Sequence, residues 1–292
     1  MINASVDAKR WRAREHRREV MFQIIGAAMV LFAMAMLTVL LVKILLDGYA
    51  RLGISFLTEY ASRRPENAGI KAALVGSFYL MLLTAAIAVP VGVGAAIYLE
   101  EFARRSWWMR LIEINITNLA GVPSVIYGLL GLQVFVRTLM MERSLLAGAC
   151  TMALLALPVI TTAAREGLRA VPRSLREGSL ALGATQWQTV RHAVLPVAMP
   201  SILTGVILSM SRVVGETAPL LVVGAFAYIA TLPTSVFSPF TVLPVQIYDW
   251  ISRPQPGFHQ NAAAAIIVLL TLLLVMNALA IYLRNRLQVR LA

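Results

Sequence analysis

Arg212 and Glu216 stand four residues apart within the apolar run 198–223. That spacing puts a guanidinium and a carboxylate on one face of a helix. A helix this apolar belongs in hydrocarbon, where either charge alone costs at least about 2.5 to 3.5 kcal/mol. The two must therefore pair, and the pair must face protein or water rather than lipid. At 1.5 Å per residue Arg212 lies about 21 Å from the start of the run, deep in a membrane. Gly215, between the charges, leaves room for a close neighbour, and Pro219 frees the carbonyl of Gly215 to face a cavity. Such a pair either lines a substrate path or braces a bundle as a packing salt bridge, and the residues alone leave both open.

Other site chemistry is excluded by residue type. None of the lysines, Lys9, Lys43 and Lys71, follows a glycine, so there is no G-x-x-x-x-G-K-[ST] phosphate loop and no ATP hydrolysis by that route. The single Cys150 rules out an internal disulfide, and His16, His192 and His259 lack metal-ligand spacing. The methionines, such as Met29, Met34 and Met36, read as flexible packing rather than a metal path.

The elements that must hold the pair follow from composition. Of 292 residues 59% are hydrophobic and 14% charged, and the mean hydropathy is +0.75, which makes lipid the principal solvent. Six segments are long and apolar enough to span as helices: 21–46, 72–99, 114–136, 144–164, 198–223 and 262–283. An even number puts both termini on one side. Lys9, Arg10, Arg12, Arg14, Arg17 and Arg18 precede the first span; Arg104, Arg105 and Arg110 lie between the second and third; Arg165, Arg169, Arg173, Arg176 and Arg191 lie between the fourth and fifth; Arg284, Arg286 and Arg290 follow the sixth. They outnumber the basic residues of the opposite face, Arg51, Arg63, Arg64, Lys71, Arg137, Arg143 and Arg253, so both termini are expected in the cytoplasm. The net charge of +12 is thus a topology signal rather than a nucleic-acid footprint, and Trp107 and Trp108 fit an interfacial belt. The expected organisation is a basic cytoplasmic tail over 1–20, a first transmembrane helix over 21–46, a membrane domain over 70–283 and a cytoplasmic tail over 284–292.

The connection 165–197 is too long for a passive bundle. After Pro172, Ser174-Leu175-Arg176-Glu177 reads as a capping box that opens a short helix, and Gly183 is placed to end it in the left-handed conformation. Thr185-Gln186-Trp187-Gln188 repeats the capping pattern and opens a second helix, which is expected to run to Leu195 before Pro196. The predicted unit is helix, glycine turn, helix. It serves either as a docking elbow or as an amphipathic segment lying on the membrane surface.

Glu177-Gly178-Ser179, Gly183 six residues after the glutamate, and Leu195-Pro196 resemble the "EAA" loop in permease subunits of binding-protein-dependent ABC importers. Four further runs, in the same order along the chain, are similar to the phosphate permeases of that family: Ile97-Tyr98-Leu99-Glu100-Glu101-Phe102, Gly121-Val122-Pro123-Ser124-Val125-Ile126-Tyr127-Gly128-Leu129, Gly215-Glu216-Thr217-Ala218-Pro219-Leu220 and Pro244-Val245-Gln246-Ile247-Tyr248. The resemblance covers most of the chain from Gly69 onward and not, with comparable specificity, the N-terminal tail and first span. It implies an all-α membrane protein with the six-helix, MetI-like fold of type I importer permeases, and cytoplasmic coupling helices in which Glu177, Gly178, Ser179, Gly183, Leu195 and Pro196 meet a separate ATPase. It also implies a second permease, an ATPase dimer that uses ATP and Mg, and an external phosphate-binding protein in a bacterial cytoplasmic membrane, with no cofactor bound by this chain. The family pattern has Glu-Ala-Ala where this chain has Glu177-Gly178-Ser179, and glycine and serine weaken the helix slightly.

Phosphate keeps a proton near neutral pH, so it accepts from a guanidinium and donates to a carboxylate, which fully ionised sulfate cannot do. Arg212, Glu216 and Thr217 are on this reading the substrate path. Arg165, Glu166 and Arg169 form either an exit funnel or an ordinary solvated face. The proline-rich stretch 231–261 is a stiff non-helical surface, either a dock for a delivery protein or a structural cap. Rival functions are a permease for molybdate or sulfate and, in other classes, an ion channel or a membrane scaffold.

Overall fold

The computed structural model describes residues 2–104 and 106–289; Arg105 and Arg290 of the charge pattern lie outside the described residues. Every regular element among them is helical. In chain order these are α1 (Ile2–Gly48), α2 (Ile54–Thr58), α3 (Lys71–Ile97), α4 (Trp107–Ala120), α5 (Ser124–Gly131), α6 (Leu145–Arg169), α7 (Arg173–Ala181), α8 (Gln186–Thr189), α9 (Leu195–Gly215), α10 (Ala218–Val223), α11 (Leu243–Ile251) and α12 (Pro256–Val289). Three π-helical stretches extend or join them: Tyr98–Phe102 after α3, Leu132–Thr138 after α5 and Val190–Val194 between α8 and α9. Five continuous helical segments are long and apolar enough to cross a membrane, and a bent pair, Trp107–Ala120 with Ser124–Thr138, supplies a sixth when counted as one span.

The core is organised around α6, which packs against α3 and α9. In lipid, helices gain little from apolar burial, so close backbone approach over small residues must hold them. A Cβ on Gly205 of α9 would lie 2.2 Å from the Cβ of Ala163, and one on Gly92 of α3 would lie 2.8 Å from Ile160. α6 contributes buried Ala149, Ala153, Ala156 and Ala164 to the same seam. α1 stands outside this core and meets α12, where the backbone at Ala263 and Ala264 leaves no space for a side chain at Gly48.

Three expectations are corrected. The third span is not one helix: it bends by 108° at Gly121–Pro123, because proline has no N–H to donate and biases its predecessor away from helical angles. Tyr127 bridges the break, its hydroxyl donating to the carbonyl of Leu119 at 2.7 Å. The fifth span is also interrupted, ending at Gly215 and resuming as α10 at Ala218. The stretch 231–261 is not merely a non-helical surface, since it contains α11, and its Phe240, Leu243 and Trp250 are buried in the core.

Candidate functional site

The elbow is a helix, glycine turn, helix unit as expected, but its first arm begins differently. α7 starts at Arg173 behind Pro172, so Ser174 lies inside its first turn and makes no cap; the side chain of Arg176 reaches back and donates to the carbonyls of Leu168 at 2.8 Å and Val171 at 2.8 Å. A guanidinium thus ties α7 to the last turn of α6 and to the turn that follows it. Gly183 takes φ +83°, the left-handed conformation that stops α7. The second capping box forms in full: the main-chain N–H of Gln188 donates to Thr185 Oγ1 at 3.3 Å, and the main-chain N–H of Thr185 donates to Gln188 Oε1 at 2.8 Å. The second arm does not end before Pro196. The π-helical stretch Val190–Val194 carries it into α9, where Pro196 falls in the first turn and its missing N–H costs little.

Of the residues implied for ATPase contact, Glu177 and Gly178 are exposed, while Ser179 turns inward and shares a 2.9 Å hydrogen bond with Thr189, tying the two arms together. Leu175, Leu180 and Trp187 are exposed on the same unit, and Leu182 at its tip is 91% exposed. The two glycines have opposite requirements. A Cβ on Gly178 would meet nothing within 4 Å, whereas Gly183 occupies the region L side chains avoid. Gly178→Ala is expected to stabilise the isolated permease by about 0.5 to 1 kcal/mol, and Gly183→Ala to destabilise it by about 1 to 2 kcal/mol. Thermal unfolding of the two variants in detergent should shift in opposite directions.

Behind the elbow lies a charge network that the sequence did not reveal. Arg165 of α6, with a side chain only 10% exposed, bridges Glu100 at the end of α3 and Glu113 of α4, and its Nε donates to Glu100 at 3.4 Å. Arg169 donates to Glu100 at 2.8 Å and lies 3.8 Å from Glu113. Arg176 grips Glu101, whose side chain is 8% exposed, from Nη2 at 2.6 Å and from Nε at 3.2 Å. Gln186 of α8 donates to the main-chain carbonyl of the same Glu101, and Phe102 contacts Trp187 with ring centroids 6.4 Å apart. Arg165 is therefore no solvated side chain, although Glu166 beside it is exposed. The readable signal for Glu100 and Glu101 was a pair of acids at a span end, in a chain poor in acids, close to the arginine-rich connection.

Arg212 and Glu216 do meet: Arg212 Nε donates to Glu216 Oε1 at 3.2 Å, with the two side chains 48% and 19% exposed. Their setting is not a continuous helix face. α9 stops at Gly215, Glu216 is extended at φ −78°, ψ 127°, and Thr217 precedes α10. A Cβ on Gly215 would meet nothing within 4 Å, so this glycine does not mark a close approach. The close approach is at Gly128 of α5, where a Cβ would lie 2.8 Å from the Cα and from the carbonyl oxygen of Pro219. The two interrupted spans thus touch through α5 and α10, placing broken helices beside the charge pair, and broken helices are where transport proteins leave backbone groups to line a path. One neighbouring lock is visible: Ser211 donates to Asn277 of α12 at 2.5 Å.

Comparison with known proteins agrees with this architecture. Residues 88–289 match the family model described as "Binding-protein-dependent transport system inner membrane component". The probable ABC transporter permease protein YqgI of Bacillus subtilis is 31% identical over 249 residues, 80% of this chain and 85% of that protein. The phosphate transport system permease protein PstA of Yersinia pestis is 30% identical over 277 residues, covering 92% of this chain and 90% of that one. A solved structure of the MetNI methionine ABC transporter in inward-facing conformations is similar in fold, with a TM-score of 0.56 at 22% identity over 77% of this chain and 94% of its own. On the strength of the matched span and the identities across most of its length, the chain belongs to the binding-protein-dependent transport system inner membrane component family.

Proposed function

We propose that this chain is the permease subunit of an ATP-driven phosphate importer in a bacterial cytoplasmic membrane, with both termini in the cytoplasm. It works beside a second permease, an ATPase dimer and an external phosphate-binding protein. ATP and Mg belong to the ATPase, and this chain contributes neither a cofactor site nor a bond-making step. The carrying observation is the elbow α7–α8, which presents Leu175, Leu180, Leu182 and Trp187 outward between two membrane-length helices, its second arm continuous with the later one. An apolar tip rimmed by polar residues suits protein docking, and its first arm is tied through Arg176 to Glu101, next to the Glu100 that Arg165 and Arg169 hold. Closure of the ATPase would then move the spans around Arg212, Glu216 and Thr217, exposing a weak anion site first outward and then inward. The phosphate assignment is supported by relatives bearing phosphate transport names and by the pairing of a guanidinium with a carboxylate.

Co-purification with its ATPase and second permease, followed by reconstitution in liposomes with the loaded binding protein, tests this reading. Phosphate uptake should require ATP on the elbow side and should resist competition by sulfate and molybdate. Uptake of those anions in preference to phosphate would reassign the substrate. Flux without any ATPase would make the chain a channel, and assembly without flux a scaffold.

A further inference from the structure

Three elements converge on one guanidinium. Arg176 belongs to the first arm of the elbow, yet its donors are spent on the carbonyl of Leu168 in the last turn of α6, on that of Val171 just after it, and on the carboxylate of Glu101 at the π-helical end of α3. The second arm reaches the same place, through the Gln186 amide on the Glu101 carbonyl and through Trp187 against Phe102. Ser179 and Thr189 close the arms on each other. The elbow is consequently bolted to the end of α3 at both arms, although no covalent connection shorter than residues 103–172 joins them. A planar fork holding a carboxylate with two nitrogens resists rotation in a way a single contact does not.

We infer that Glu101 and Arg176 are the transmission joint of the transporter: they position the elbow on α3, so that a displacement imposed on the elbow is delivered to the span rather than absorbed as a pivot at Pro172. This rests on the coupling role proposed above. Neither residue touches the transported anion; both act through the elements they hold. The joint is a place where coupling is set independently of docking, because the leucines that would meet an ATPase are exposed, whereas the carboxylate that holds the elbow is only 8% exposed.

The test uses the complete complex in liposomes with Glu101→Gln and Arg176→Lys, the first keeping the side-chain shape and the second the charge. Phosphate moved per ATP hydrolysed should fall about fivefold or more, the size of ordinary coupling free energies, while ATP hydrolysis continues and loses its dependence on the loaded binding protein. Spin labels at Ala181 and Tyr98, in a Cys150→Ser background, provide a readout that needs no phosphate. Their separation should stay fixed through the nucleotide cycle in the parent and change on ATP binding in Glu101→Gln. An unchanged transport-to-hydrolysis ratio, an equal loss of transport and hydrolysis, or a label separation fixed in the variants would each overturn the joint. If the parent moves no phosphate but its labels behave as expected, the substrate reading fails and the joint stands.

Discussion

Replacing Arg212 with alanine is expected to reduce phosphate uptake by the reconstituted complex about ten- to a hundredfold, with the complex still assembled. Charge-assisted hydrogen bonds contribute about 1.5 to 3 kcal/mol each, and 1.4 kcal/mol is a factor of ten, so loss of the guanidinium removes one to two orders of magnitude. Alanine at 212 also leaves Glu216 without the partner it has at 3.2 Å, in a side chain only 19% exposed. That second effect would lower stability whether or not the pair touches substrate, and it is separated by the double variant Arg212→Ala/Glu216→Ala. If the pair only braces the bundle, neutralising both partners restores uptake along with thermal stability, as replacing whole buried ion pairs often does. If Arg212 receives the anion, the double variant recovers stability and remains defective in uptake. Arg212→Lys should retain part of the activity, since it keeps a point charge and loses the planar fork. Initial rates of radiolabelled phosphate uptake, set beside unfolding midpoints of the same preparations, decide between them, and full uptake in the single alanine variant would remove Arg212 from the path.

How much of this was legible in the sequence depends on the range of the interaction concerned. Local signals read correctly. Thr185 and Gln188 form the reciprocal cap because both partners lie within one turn, and Gly183 is left-handed because a helix stop of that kind has few other solutions. Arg212 and Glu216 meet because lipid penalises leaving either alone. Where a local motif depended on the exact helix start, the start decided: Ser174 has the right neighbour in Glu177, but α7 begins at Arg173 behind Pro172, so Ser174 falls inside the first turn and makes no cap. Proline positions were visible while their consequences were not. Pro123 breaks its span by 108°, whereas Pro90, Pro158 and Pro200 sit inside helices, a distinction set by what neighbouring helices and π-helical turns can absorb. The network of Glu100, Glu101 and Glu113 with Arg165, Arg169 and Arg176 was out of reach for a different reason. Its partners are separated by 52 to 75 positions, and no periodicity links charges that meet only after three helices have packed.

That network carries the other large effect. Arg165→Met should destabilise the permease by about 3 kcal/mol, the lower end of the cost of breaking a buried pair. The lower end applies because Glu113 is 37% exposed and retains some solvent, while Glu100 at 18% has less. Arg169 remains to share both carboxylates, but it is itself 55% exposed and holds Glu113 only at 3.8 Å, so it cannot replace a guanidinium lying between them. The methionine fills much of the volume, so that among the described residues Arg169 is left as the cation shared by the two carboxylates at the meeting point of α3, α4 and α6. Adding Glu113→Gln to Arg165→Met should recover more than half of the lost stability by removing one of the two charges, and adding Glu166→Gln, an exposed neighbour on the same helix, should recover almost none. Unfolding midpoints of the detergent-solubilised variants make the comparison. Equal recovery by both glutamines would mean that net charge at this end of the bundle, rather than the Glu100–Arg165–Glu113 bridge, holds α4 onto α6.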